Sequence, residues 1–99
     1  MSKLKTYKMV WGMPTDPDVV TVYLRFAEPP AVIDYNTPHE DIGKVSEIDL
    51  PRPGMPLIDG QVSLGISTVD DVGNESDISV ITVPFDLVAP LPVTDLRML

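Results

Sequence analysis

Proline and glycine interrupt this chain so often that few architectures remain open to it. There are 11 Pro and 6 Gly in 99 residues, many of them clustered, so that breaks fall about every ten residues, the spacing of short strands and turns. Between the breaks, apolar and polar residues alternate with a period of two. That period puts successive side chains on opposite faces of a strand. No proline-free stretch places apolar residues at i, i+3, i+4 and i+7 over about three turns, so no substantial helix is expected. The reading is an all-β, two-sheet antiparallel Greek-key sandwich.

The first run spans Leu4 to Met13, with Tyr7, Met9 and Trp11 on one side. A turn rich in Pro and Asp follows. The second run spans Val19 to Ala27, with Val20, Val22, Leu24 and Phe26 on one face and Thr21, Tyr23 and Arg25 on the other. Residues 31–44 predict a short edge strand at most, then a loop. Val45 to Leu50 is a further run, closed by Pro51 and Pro53, through which no central strand runs. The strongest run is Gln61 to Asp70. Its Val62, Leu64 and Ile66 face one way, and the small residues Ser63, Gly65 and Ser67 face a solvated side. A turn over residues 70–76 leads to Ile78–Val83, which Pro84 is expected to stop. Val93 to Leu99 has the composition of one more strand. The expected core is Met9, Trp11, Val20, Val22, Leu24, Ile48, Leu50, Leu57, Val62, Leu64 and Ile66.

Composition removes whole classes of function. With 7 Lys+Arg against 15 Asp+Glu, the net charge is -8. A nucleic-acid binder needs clustered cations for the phosphates, so no nucleic-acid partner is expected. No apolar run is long enough to span a bilayer, so no membrane insertion is expected. The chain has no Cys, which excludes a disulfide framework, a thiolate zinc site and a Cys nucleophile. The basic start at Lys3, Lys5 and Lys8 is not followed by an apolar stretch, so it does not read as a signal peptide. The compartment stays open, with export or a cell-surface place expected only as part of a longer protein.

At Val62 to Ser76 the chain resembles a known family. Val62-x-Leu64-x-Ile66-x-Thr68-x-Asp70, then Gly73-Asn74-Glu75-Ser76, is similar to the F strand and F–G turn of fibronectin type III domains, especially bacterial ones. Trp11 resembles the core Trp of that family's strand B, and Val20-x-Val22-x-Leu24 its strand C. Leu57-x-x-Gly60-x-Val62 stands at the family's corner, but with Val62 in place of the corner Tyr. Ala89-Pro90-Leu91-Pro92-Val93-Thr94-Asp95-Leu96 resembles the proline-led opening of a strand A. Too few residues precede strand B for a strand A of its own. The expected division is a sandwich over residues 1–88 and a proline-led tail over 89–99. The tail is either a linker to a next module or a docked A-type strand.

Candidate sites are sparse. Tyr23, Arg25 and Tyr35 are of the types enriched at interface hot spots; on one exposed sheet face they would form a recognition surface. Asp70, Asp71, Glu75 and Asp77 crowd four carboxylates into one turn, and calcium takes such ligands. Their spacing does not match a calcium-loop pattern, and the bland reading is a solvated acidic turn. His39 is the one imidazole. No Ser stands in a Gly-x-Ser-x-Gly elbow to use it, so it reads as a surface His and no catalytic residue is expected. Trp11 could stack on a sugar if exposed, but reads as core. The expected function is a non-catalytic structural or protein-interaction module without a cofactor, monomeric in isolation, a spacer or adaptor with a protein partner. The alternative is an accessory ligand-binding module, carbohydrate or calcium dependent.

Overall fold

A computed structural model describes residues 3–55, 59–86 and 88–99. Six strands form among them: β1 (Tyr7–Val10), β2 (Val19–Ala27), β3 (Glu40–Gly43), β4 (Glu47–Leu50), β5 (Asp59–Asp70) and β6 (Ser79–Asp86). There is no helix among the described residues. The strands make two antiparallel sheets, one ordered β1-β4 and the other β3-β2-β5-β6. The chain is all-β, as its alternation predicts.

One apolar cluster draws on both sheets. Met9, Ile48 and Leu50 come from the small sheet, and Leu24, Val62, Leu64 and Phe85 from the large one, with Met55 beside them. Trp11 and Ile66 pack against this cluster half-buried. Leu57 lies outside the described residues. Val20 is not core: it is 51% exposed. The β2–β5 register slips between Val19 and Thr21, so Val19 turns inward in its place. A one-residue shift in a period-two pattern moves a side chain to the other face.

The opposite face of the large sheet is also covered, which overturns the expectation of a solvated side. Ser63, Gly65, Ser67 and Val69 are buried there. Ile33 is buried although it belongs to no strand. Strand β3 forms later, at Glu40–Gly43, inside the expected loop. Gly65 is where the covering layer comes closest: a Cβ there would lie 2.8 Å from Ile78 Cγ2 and 3.1 Å from Ile33 Cγ2. The small residues of β5 therefore make room for a second layer.

Strand β6 runs through Pro84 to Asp86 instead of stopping. Among the described residues it pairs with β5 alone, and an edge strand has one side on which a missing N–H costs nothing. Residues 88–99 form no strand. Leu91, Val93, Leu96 and Met98 lie in solvent there.

Candidate functional site

The sequence pattern puts Tyr23 and Arg25 on the face of β2 opposite the shared core, and the fold then closes over Arg25. The Asp34–Thr37 turn begins the closure. Asp34 Oδ1 accepts the amides of Asn36 and Thr37 at 2.9 and 3.1 Å, the local bonding that lets Asp initiate turns. The turn presents the Thr37 carbonyl to Arg25 Nε at 3.0 Å. On the other side, Arg25 Nη1 donates to Glu75 Oε2 at 2.5 Å and to Ser67 Oγ at 3.3 Å. The Ser67 hydroxyl donates to the same Glu75 oxygen at 2.5 Å. Tyr23 and Tyr35 flank the guanidinium, their ring centroids 6.0 and 5.8 Å from Cζ.

Arg25 is only 2% exposed. The three expected recognition residues are thus brought together, but the cation is spent inside the protein. A buried guanidinium needs its hydrogen bonds and an opposite charge, and here it has both. Its Glu75 carboxyl is held below the usual carboxylate range, first by the Arg25 hydrogen bond and then by Ser67. What remains at the surface is Tyr35, 55% exposed, whose hydroxyl donates to the Ser76 carbonyl at 2.9 Å. The exposed His39 stacks on Tyr23 with centroids 3.9 Å apart.

The four carboxylates of the turn do not converge. Asp70 organises the turn itself, accepting from the amides of Val72 and Asn74 and from Asn74 Nδ2. Those bonds, the Asn74 side chain first, hold its carboxyl below the usual range. Glu75 turns inward to Arg25, and Asp71 and Asp77 stay in solvent. Among the described residues, no group of three or more His, Asp or Glu side chains is placed to hold a metal ion.

A second feature has no counterpart in the sequence reading. An apolar groove runs between β1 and β6, with a cavity of about 270 Å³ against Met9, Leu50, Leu64, Val83 and Phe85. A smaller cavity of about 120 Å³ continues it toward Trp11 and Ser79. The signal was indirect: Tyr7 and Met9 point inward from a strand whose outer edge has no evident partner. Trp11 Nε1 is buried with no hydrogen-bond partner among the described residues.

No family model, curated protein or solved structure matches this chain.

Proposed function

We propose that the chain is a non-catalytic fibronectin type III-like sandwich, acting as a spacer or protein-interaction module. The strand order carries this reading. In the lettering of that fold, β1 and β4 take the places of B and E, and β3-β2-β5-β6 those of C′-C-F-G. Removing strand A from the seven-stranded Greek key leaves this arrangement. The role follows by analogy with the fold, which hosts many functions. The Arg25–Glu75 link supports a rigid spacer, because it ties β2, β5 and two connecting segments into one block. With Arg25 inward, a partner meeting this face would contact Tyr35 and His39.

A titration separates this reading from the accessory ligand-binding alternative. Calcium and a panel of soluble oligosaccharides are added while Trp11 emission and backbone amide shifts are followed. The expected result is no saturable change. A saturable shift with either ligand would replace the spacer reading with the ligand-binding one.

A further inference from the structure

We propose that the unpaired edge of β1 is a strand-docking site, and that residues 93–99 of a second copy of this chain occupy it. This goes beyond the spacer role and replaces the expected monomer with a self-associating module.

The edge is built to pair. Trp11 N–H donates to the Ser46 carbonyl at 3.0 Å, so the antiparallel alternation turns the backbone groups of Lys8 and Val10 away from β4. Among the described residues, β1 pairs with β4 alone. Such an edge is a template for another strand. The apolar groove described above lies beside it. An apolar cavity of about 150 Å³ already admits a benzene-sized group, so the cavity of about 270 Å³ has room for large side chains.

The tail supplies what the edge lacks. Val93, Leu96, Met98 and Leu99 are 79%, 88%, 95% and 110% exposed. Extended, the segment places Leu96 and Met98 on one face and the ion-paired Asp95 and Arg97 on the other, their atoms 2.6 Å apart. Asp95 now has a φ of 61°, a left-handed conformation unfavourable for a non-glycine residue; pairing as a strand would relieve it.

For antiparallel pairing, direction selects a second copy. The Asp86 amide donates to Tyr7 Oη at 3.1 Å, so the chain's own tail departs from the Tyr7 end of β1. To pair antiparallel it would have to travel to the Trp11 end and reverse, through a segment stiffened by Pro90 and Pro92. A tail from another molecule enters freely from the Trp11 end. Residues 1–15 carry Lys3, Lys5 and Lys8 and no carboxylate, and the remaining residues hold all 15 acids. Charge does not choose the occupant: Lys8 already lies 3.6 Å from Glu47, and the tail carries one acid and one base, Asp95 and Arg97.

Sedimentation of the full chain from micromolar to millimolar concentration tests this. Wild type is expected to gain mass with concentration, whereas the double variant Leu96→Asp, Met98→Asp stays monomeric. Val10→Pro removes one outward N–H from the edge and is also expected to stay monomeric. Mixing the two variants restores one intact edge and one intact tail, so a complex of two copies should form. If Val10→Pro fails to fold, the tail variant carries the test alone. A wild type that stays monomeric throughout, or association that persists in the tail variant, overturns the proposal. A monomer whose tail amides resist exchange also overturns it, in favour of docking within one chain. None of these failures affects the ligand titration, so the two readings fail separately.

Discussion

Arg25 and Glu75, 50 residues apart in the chain, meet through two guanidinium–carboxylate contacts of 2.5 and 3.4 Å. The side chains are unequally covered, at 2% and 19% exposure. Glu75→Leu strands a buried guanidinium on the Thr37 carbonyl and the Ser67 hydroxyl, and should cost about 3–5 kcal/mol. Arg25→Met leaves a carboxylate that can regain water, and should cost less. The double variant should cost less than the sum of the two, because neither charge remains unpaired. Urea unfolding of the four proteins checks the order; additive losses would refute the coupling.

The same pair sets a pH dependence. The folded Glu75 carboxyl lies below its ordinary value, chiefly through the Arg25 hydrogen bond. Its contribution is fully present above the unfolded carboxylate value of about 4.3 and is lost as pH falls through the lower folded value. Glu40, lowered by Arg52, acts in the same direction. Glu75→Gln should lower Tm at neutral pH and flatten, without abolishing, the decline of Tm below about pH 5. An unchanged acid slope in the variant would count against it.

Gly65→Ala should destabilise by about 1–3 kcal/mol, the range for an overfilled core. The added methyl meets Ile78 and Ile33 at 2.8 and 3.1 Å. Ile78→Ala, which removes the Cγ2 methyl that the new carbon meets, should cost less in the Gly65→Ala background than in the wild type. If Gly65→Ala alone is neutral in thermal unfolding, the second layer does not close over Gly65.

Val20 and Val22 offer a direct test of the slipped register, at 51% and 0% exposure. Val20→Thr should fall within about 0.5 kcal/mol of wild type. Val22→Thr buries a hydroxyl without an assigned partner and should cost about 1–3 kcal/mol. Equal losses in chemical denaturation would mean that β2 runs without the slip.

The strands that alternate cleanly were legible in the sequence. Val22, Leu24, Val62 and Leu64 declare their face by period alone, and all four are buried. Val20 was misplaced because a period-two reading cannot show where a strand skips a residue. The second layer was misread for a related reason. Ser63, Gly65 and Ser67 have the composition of a solvated face, and only their partners at Ile33, Ile78 and Glu75 make that face an interior. Arg25 illustrates the limit most clearly. Its exposure depends on a carboxylate 50 residues away, and no local pattern records that distance. The carboxylate turn was legible as a turn, because Asp70 and Asn74 bond within a few residues of each other.

The central ladder joins β2 to β5 from Val19↔Asp70 to Ala27↔Ser63. Before its first bond can form, the chain must close a loop containing β3 and β4. Loop closure is an entropic debt incurred before contacts reward it. Of the pairs described, β5–β6 has the shortest connection, so that hairpin can assemble early while β2 waits. The molecule therefore belongs among slow folders limited by non-local pairing, on a scale of about milliseconds to seconds. During that wait the apolar face of β5 is open to other chains, and the time spent there, as much as equilibrium stability, governs how much protein reaches the native state.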